Sequence, residues 1–454
     1  MRKLFIALSL GITPFSFAQT NPAITSWLQN TTQTGSYYNA GSSVTIGNGI
    51  LVNCQQVQYS TNWVYVSATG VPSYPTGPFT GDGNPSQAED QNAIFKIPLN
   101  PVQNTGTLTA TSGGNIGIFI NGVALFDYRD GVAWNNATSA LCGGPGNPPC
   151  PGGPTATMPW NRDAVLAEKP GFDCSKGHPA MGNYHHHQNP SAYNLDLNVI
   201  STICDLYAAD GLYAINPSEH SPLIGYAYDG FPIYGAYGYA NANGTGGIVR
   251  IKSGYQLRNI TTRTVWADGT DVADGPAVST TYPLGYFRED YEFVTHAGQE
   301  DYLDEHNGRF CITPEYPAGI YCYFATVDAN HNSAYPYAVG PTYYGVKTAG
   351  TVTSILEAVT TYTSTAGIDE TKKIDFKVFP NPSADIIMVQ TTGLTTNEIV
   401  IDLTDANGKV IQTQTIQKGS TIAYFDVATL YNGTYFVHIK SGAQATSYSV
   451  VIAE

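Results

Sequence analysis

Short segments in which apolar and polar residues alternate are the feature that most limits how this chain can fold. Between residues 44 and 130 they are rich in Val, Ile, Tyr and Thr, and Gly, Pro or Asn separates one from the next. A period of two with turn residues about every eight to twelve positions is typical of antiparallel β-structure. The segments are VTIGNGILV, NWVYVSA, AIFKIPL, GTLTATS and GNIGIFINGVALF. We therefore predict a mainly β fold.

The middle of the chain predicts a large antiparallel β-rich domain with long loops. Residues 160–345 are dominated by Tyr and Gly, and residues 141–157 form a Pro/Gly-rich loop without periodicity. The whole chain has 47 Gly and 28 Pro, and only 12% of its residues are charged, which is about half the usual share. Such a composition favours many turns between short strands.

The sequence changes character near its end. Residues 350–373 are Thr-rich and then charged, as expected of a linker. Residues 374–454 contain six or seven short strand-like segments joined by turns such as Ala-Asn-Gly-Lys, which predicts a small β-sandwich.

Residues 1–18 have the pattern of a secretory signal peptide. Two basic residues precede an apolar segment, and a small-residue site ends at Ala18. No later segment approaches the roughly 18 apolar residues of a spanning helix, so no transmembrane segment is expected. Because 35 acidic residues outnumber 20 basic ones, the surface would repel a phosphate backbone, and nucleic acid is not an expected partner. No phosphate-loop motif is present, so no nucleotide cofactor is expected.

Seven cysteines in an exported chain indicate disulfides with at least one thiol left over. Cys142 and Cys150 bracket the loop GGPGNPP, and Cys311 and Cys322 bracket a predicted hairpin, so these are the first two predicted bridges. Cys174 with Cys204 is a third candidate pair, which leaves Cys54 as the thiol.

Three of the nine histidines stand together in the segment GNYHHHQNP. In an extended segment His185 and His187 share one face, while His186 points away. His178 lies upstream, and Pro179 and Gly182 would let the chain fold back between them.

Imidazole is a common ligand of transition metals, which need three or four protein ligands in all. We therefore predict a metal site formed by His178, His185 and His187 with His220 and Asp229, which begin or end the apolar segment HSPLIGYAYDG. The nitrogen donors favour Cu or Zn over Ca. The alternative interpretation is that the imidazoles bond backbone carbonyls in a polar core.

Two further hypotheses stay open. The many tyrosines could stack on sugar rings, which would make the protein a non-catalytic module that binds glycan or matrix, although tyrosines in a β fold more often fill the core. Asp304 and Glu305 could act as the acid and base of a hydrolase. The substrate and the reaction are not predicted by any motif.

The carboxyl-terminal segment carries three motifs in order: Val378, Pro380, Asn381 and Pro382; Asp405, Gly408 and Lys409; Leu430, Gly433 and Tyr435. With them it resembles the C-terminal sorting domain of the Bacteroidetes type IX secretion system, a small Ig-like sandwich. The resemblance implies export through the outer membrane by the type IX secretion machinery, followed by secretion or attachment at the cell surface.

The preceding part resembles the secreted YHYH family. The marks stand here as NWVYVSATGVPSYPTGPF, IGIFINGVALFD, YHHHQNP, HSPLIGYAYDGFPIYG, YPLGYFREDYEF and LDEHNGRFCITPEYPAGIYCYF. The resemblance implies that residues 19–349 form a YHYH-type β-rich domain. It also implies that His185 and His187 are the two histidines of the motif. His186 departs from the family, because it stands where the second Tyr is expected, and we do not count it as a ligand.

Overall fold

The structure is a computed structural model. It describes residues 21–42, 44–79, 87–152, 158–190, 216–348, 350–363, 376–391, 398–406, 408–417, 421–441 and 444–453. Two compact units are present, Met1–Thr363 and Ser364–Glu454. The predicted signal peptide and Cys204 lie outside the described residues.

Short strands dominate the amino-terminal unit, and this confirms the predicted mainly β fold. The part before the Pro/Gly-rich loop contains α1 (Pro22–Thr25), β1 (Thr34–Tyr38), β2 (Thr45–Leu51), β3 (Cys54–Tyr59), β4 (Trp63–Ala68), β5 (Ala93–Pro98), β6 (Asn115–Phe119), β7 (Ala124–Phe126), β8 (Arg129–Asn135) and β9 (Ala140–Cys142). The part after it contains β10 (Asn161–Asp163), α2 (Ala164–Glu168), β11 (His178–Ala180), β12 (Asn183–His186), β13 (Leu223–Ala227), β14 (Pro232–Tyr234), β15 (Tyr237–Tyr239), β16 (Ile248–Arg250), β17 (Tyr255–Leu257), β18 (Tyr291–Phe293), β19 (Gly308–Cys311), β20 (Ile320–Phe324), β21 (Gly350–Val352) and β22 (Thr360–Tyr362). Among the described residues, 3-10 helices lie at Lys169–Gly171 and Arg288–Asp290.

A five-stranded antiparallel sheet forms from the alternating segments near the start of the chain, in the order β21-β5-β4-β3-β22. Its inward positions follow the predicted alternation, although Tyr65 between two of them is also only 4% exposed. Val64 and Val66 of β4 are fully buried, as is Ile97 of β5, and Phe95 of β5 is nearly so. The two edge strands, β21 and β22, fall within residues 350–373, where the sequence predicts a linker.

An eight-stranded sheet in the order β11-β12-β7-β6-β13-β14-β20-β19 carries the histidine segment at one edge. Five of its pairings are antiparallel, whereas β12 pairs with β7 and β14 with β20 in parallel. The parallel pairs arise because long connections, not tight turns, bring these strands together. One buried apolar cluster takes side chains from both large sheets, including Val57, Phe95, Ile118 and Tyr226.

The carboxyl-terminal unit is a small β-sandwich of seven strands within its described residues. The strands are β23 (Phe376–Phe379), β24 (Ile386–Thr391), β25 (Ile399–Thr404), β26 (Val410–Ile416), β27 (Ile422–Asp426), β28 (Gly433–Ser441) and β29 (Gln444–Ile452). They form two antiparallel sheets, β23-β24-β27 and β26-β25-β28-β29. Both sheets contribute to one core, which includes Val389, Ile401, Phe425 and Ile439.

The cysteines agree with part of the prediction. Cys142 and Cys150 form a disulfide, and Cys54 is a buried thiol. The predicted Cys311–Cys322 bridge is wrong, because both are separate thiols. In the β19–β20 register Cys311 lies opposite Ile320, so the two cysteines are diagonal neighbours. Diagonal residues have Cα atoms about 7–8 Å apart, beyond the usual disulfide range. The Cys174–Cys204 pair stays a prediction, because Cys204 is not described.

No helix within the described residues is long and apolar enough to cross a membrane.

We expect the stability of the carboxyl-terminal unit to depend on its buried side chains and not on exposed side chains of the same strand. Ile401 is fully buried, whereas its neighbour Val400 on β25 is 41% exposed. Ile401→Ala should lower the free energy of unfolding of this unit by about 2–5 kcal/mol, because it leaves a cavity. Val400→Ala should change it by no more than about 0.5 kcal/mol.

Calorimetry and tryptophan fluorescence together test this expectation. All five tryptophans precede residue 267, so fluorescence follows the amino-terminal unit alone. Equal effects of the two variants, or a shifted fluorescence transition in Ile401→Ala, would contradict the assignment of Ile401 to a separate core.

Candidate metal centre

One β-hairpin brings together His178 and His185. Strands β11 and β12 are antiparallel, and His178 lies directly opposite His185, so their side chains share a face. The connecting turn holds Met181 at φ 49° and Gly182 at φ 83°. Positive φ at both central residues is typical of the tight hairpin turn that matches strand twist. The turn thus sets the register that places the two imidazoles side by side.

His187 joins the same face because it follows His185 by two residues. Its ring centroid lies 4.8 Å from that of His185 and 5.8 Å from that of His178. His186 points the other way, into the core, where its Nε2 lies 2.8 Å from the hydroxyl of Tyr74. The predicted alternation of the three consecutive imidazoles is therefore confirmed.

The fourth member of the group is Glu168, the last residue of α2. The helix begins at the N-cap Asp163, whose Oδ1 accepts a hydrogen bond from the backbone N–H of Leu166 at 3.2 Å. The hydroxyl of Tyr337 donates to the other oxygen of Asp163 at 2.7 Å. A capped and anchored first turn fixes the helix, and it directs Glu168 toward the hairpin.

The side chains of Glu168, His178, His185 and His187, which we call the His-Glu cluster, each offer one ligand atom within 4.8 Å of the other three. Oε2 of Glu168 lies 3.1 Å from Nε2 of His178 and 3.0 Å from Nε2 of His187. The Nε2 atoms of His185 and His187 are 3.1 Å apart. Two atoms bound to one tetrahedral zinc ion at about 2.0–2.1 Å lie roughly 3.3–3.4 Å from each other, slightly more than these separations.

Backbone carbonyls fix the tautomers of two imidazoles. Nδ1 of His185 lies 2.8 Å from the carbonyl oxygen of Asn183, and Nδ1 of His187 lies 2.7 Å from that of Asp127. A carbonyl oxygen only accepts, so each Nδ1 must carry the proton and donate it. In the neutral rings both Nε2 atoms then have lone pairs, which face each other. This arrangement is unfavourable unless a proton or a metal ion lies between them.

The charges also suit a cation. Burial lowers the pKa of His185 well below its usual value, and the neighbouring imidazoles of His187 and His178 lower it further. Burial alone would raise the pKa of Glu168, but the imidazoles of His178 and His187 outweigh this effect and hold the pKa far below its usual range. Neutral imidazole and ionised carboxylate are the forms that bind metal.

One buried acceptor of the cluster lacks a hydrogen bond. Oε2 of Glu168 accepts none from the described residues, although two imidazole nitrogens lie within 3.1 Å of it. The distances are short, but with the proton of His187 on Nδ1 its Nε2 has no hydrogen to donate to this oxygen. A metal ion would satisfy this oxygen and the facing lone pairs together, so the four side chains fit a transition-metal ion.

Asp173 organises the loop that leads to His178. Its Oδ1 accepts from the backbone N–H groups of Ser175 and Gly177, and its Oδ2 accepts from that of Gly77 and from the hydroxyl of Tyr184 at 2.8 Å. A side chain at Gly177 would place its Cβ 2.5 Å from the Tyr184 ring. The close approach of Tyr184, the first tyrosine of the histidine motif, thus requires glycine there.

The structure does not bring His220 and Asp229 into the cluster. Nδ1 of His220 donates to the carbonyl of Ser221 at 2.7 Å, and its ring packs against Tyr234. Asp229 is fully buried and accepts from the hydroxyl of Tyr323 at 2.5 Å and the backbone N–H of Gly345 at 2.8 Å. Burial raises the pKa of Asp229 to about 6.

The tyrosines of this region are mostly core residues. Tyr226, Tyr228 and Tyr234 are at most 3% exposed, so they do not offer faces to a sugar ring. Asp304, an alternative catalytic candidate, accepts from the hydroxyl of Tyr321 at 2.9 Å and from the backbone N–H of Gly308 at 3.1 Å. It is held as a turn-forming carboxylate.

Sequence reasoning missed Glu168. Its segment, AVLAEKPGF, is only a short helix with no motif and no regular spacing from the histidines. The one local signal is Asp163, a good N-cap residue, five positions before it.

Comparisons with known proteins agree with this organisation. The family model for YHYH protein matches residues 94–335, just over half of the chain. The model for the secretion system C-terminal sorting domain matches residues 377–453, so the protein is exported and is secreted or attached at the cell surface. A crystal structure of a DUF3244 family protein from Bacteroides vulgatus ATCC 8482, with an immunoglobulin-like β-sandwich fold, matches at 14% identity. The match covers 17% of this chain and 94% of that chain, with a TM-score of 0.15, and carries no functional argument. No curated protein matches.

We expect the hydroxyl of Tyr184 to stabilise the loop before His178. Tyr184→Phe removes one of the two donors to Oδ2 of Asp173. It should lower the free energy of unfolding by about 1–3 kcal/mol, because the carboxylate is buried. Tyr302→Phe is the matched control, since that half-buried ring stacks on His296 at 3.7 Å. Urea unfolding followed by tryptophan fluorescence measures both, and equal small losses would contradict the role of this hydroxyl.

Proposed function

The chain belongs to the YHYH protein family, and from this premise we propose that it is an exported protein that binds one transition-metal ion through the His-Glu cluster. Residues 1–18 would serve as the signal peptide for export from a Bacteroidetes cell. The sorting domain would engage the type IX secretion machinery.

The observation that carries the proposal is the convergence of four ligand atoms on one small volume. Three imidazoles and one carboxylate each offer one ligand atom to it, and two of the imidazoles have their outer nitrogens bound to backbone carbonyls. Such outer hydrogen bonds are typical of metal-ligating histidines, because they fix the tautomer and the ring orientation.

The donor set favours zinc or copper. Imidazole nitrogen suits both ions, whereas calcium and magnesium prefer oxygen donors throughout. His220 and Asp229, which were also candidate ligands, are not part of the proposed set, because each is bound to other partners.

The side chain of Glu168 is 21% exposed, whereas that of His187 is 3% exposed. A reactant would therefore reach the centre from the Glu168 side, while the histidines and the packed ring of Phe126 exclude water from the other. A bound zinc ion would supply Lewis-acid chemistry for hydrolysis, and copper would supply redox chemistry. Because four protein donors alone would make a closed, structural zinc site, we propose a metal-dependent enzyme in which the ion would take a reactant as an additional ligand from the Glu168 side.

Elemental analysis of the purified full chain tests the proposal. Wild type should contain about one equivalent of zinc or copper. Glu168→Gln, which keeps the shape but removes the charge, and His187→Ala should each reduce affinity by at least about tenfold, because one of four ligands is lost. His220→Ala and the control His331→Ala should retain the metal. Retention by Glu168→Gln and His187→Ala would reject the cluster, and loss in His220→Ala would restore His220 as a ligand.

Metal removal should also lower stability. A ligand present at about 1,000 times its Kd stabilises the native state by about 4 kcal/mol. Treatment with a chelator should therefore lower the thermal midpoint seen by tryptophan fluorescence, and added zinc should restore it. His187→Ala should show no such shift. An unchanged midpoint in wild type would indicate that the imidazoles share a proton instead.

A further inference from the structure

A cavity of about 370 Å³, measured as the space open to the centre of a water-sized sphere, lies beside one end of the five-stranded sheet. The end of β2, the start of β3, the end of β4 and the residues just before β5 contribute to its wall. Small-molecule sites in proteins typically have volumes of about 300–1,000 Å³. The cavity is therefore large enough for a small organic molecule.

The wall of this cavity is rich in polar side chains. Within the described part of the wall, the polar residues are Gln55, Ser67, Thr69, Asp90 and Asn92. Asp90 and Asn92 are exposed, so the cavity opens to solvent on their side. Asp90 is the one member of this set with an ionisable side chain. A guest would therefore meet neutral hydrogen-bonding groups and one carboxylate.

A β-bulge places Gln55 in the wall. The register between β3 and β4 is irregular between Cys54 and Gln56, and a bulge of this kind changes the direction of a side chain. Nε2 of Gln55 donates to the backbone carbonyls of Val52 at 3.0 Å and Asn53 at 2.9 Å. Because an amide nitrogen has two donor hydrogens, these two bonds fix the amide group. Its Oε1 stays an acceptor without a hydrogen bond to the described residues.

The carboxylate of Asp90 is also held in place. Its Oδ1 accepts from the backbone N–H of Asn92 at 2.8 Å, which is the bond of an Asx-turn. Oδ2 of Asp90, the hydroxyl of Ser67 and the side-chain amide of Asn92 make no hydrogen bond to the described residues. The cavity thus combines two fixed acceptors with groups that can donate, and fixed groups lose little side-chain entropy when a guest binds.

The rest of the described wall includes apolar side chains. Ile50, Leu51 and Ala68 line the same cavity. A sugar ring suits such a mixed wall, because its hydroxyl groups both donate and accept hydrogen bonds and its C–H groups can contact apolar side chains. An anionic guest suits it less, because the carboxylate of Asp90 would repel it.

From these contacts we propose that the cavity binds one neutral sugar ring. Water would bond to the polar groups of the wall in the free protein, and the sugar hydroxyls would replace it. The proposal does not depend on the metal, because none of the four residues of the His-Glu cluster is among the described residues of this wall. Such a site would hold the exported protein on a glycan or capture a free monosaccharide.

Saturation-transfer NMR of the full chain tests the proposal. The probes are glucose, galactose and mannose, their methyl glycosides and the corresponding uronates. Wild type should bind at least one of the neutral sugars, and its uronate more weakly. Asp90→Asn should weaken binding of the neutral sugar about fivefold to tenfold, because a charged acceptor becomes a neutral one, and it should reduce the difference between sugar and uronate. Ser67→Ala should weaken binding by several-fold.

Asp268→Asn is the matched control. Oδ1 of Asp268 accepts from the backbone N–H of Thr270 at 2.8 Å, which is the same turn interaction, but Asp268 is not among the described residues of the wall. This variant should bind sugar as wild type does. Urea unfolding followed by tryptophan fluorescence confirms that each variant is folded, and Ser67→Ala keeps the test valid if Asp90→Asn is not.

The experiment separates the possible sites and guests. No signal from any of the neutral sugars in wild type would overturn the proposal. Binding that neither Asp90→Asn nor Ser67→Ala weakens would place the sugar elsewhere and would also overturn it, as would an equal loss in Asp268→Asn. Loss of binding on treatment with a chelator would place the sugar at the metal centre instead. Binding of a methyl glycoside would identify a unit of a glycan as the guest, and binding of the free sugar alone would identify a monosaccharide.

Discussion

The arrangement of the whole site depends on two hydrogen bonds that leave no choice of tautomer. Because the carbonyls of Asn183 and Asp127 only accept, His185 and His187 must donate from Nδ1, and their Nε2 lone pairs then meet at 3.1 Å. A fold does not hold two such lone pairs together without compensation. The carboxylate of Glu168 and the ring of His178 close around the same point, which is where the proposed metal ion would be bound.

Packing on both faces of β12 holds the imidazoles of His185 and His187 in this position. One face presents the cluster, with Phe126 stacked on His185 at 3.7 Å. The opposite face buries His186 and Tyr184 among aromatic rings, and Tyr184 also bonds to Asp173. Burial lowers the pKa of His186 to about 3, and the positive charge of Lys176 also acts to lower it, so this imidazole stays neutral and acts as a core residue. His186 is thus a structural residue.

The site residues that could be predicted from the sequence are those whose relative positions depend on neighbours close along the chain. Period-two alternation was enough to place His185 and His187 on one face, and the turn residues near Gly182 were enough to indicate that His178 folds back. Glu168 could not be predicted, because its position depends on how a short helix is anchored by Tyr337, far away in sequence. The Cys311–Cys322 error has a similar origin, since spacing reveals a hairpin but not its register. His220 and Asp229 do not lie in the cluster for the same reason. The sequence of a loop does not show which other loops it will meet in the fold.

The tight turn at Met181 and Gly182 has a consequence for the order in which the centre assembles. Three of the four donors lie within ten residues of one another, so closing their loop costs little chain entropy. The hairpin alone would supply three of the four proposed ligands before the sheets have docked. Glu168 and the carbonyl of Asp127 arrive only with long-range pairing, which is slower. An exported chain of this design would acquire its ion from the compartment in which it folds.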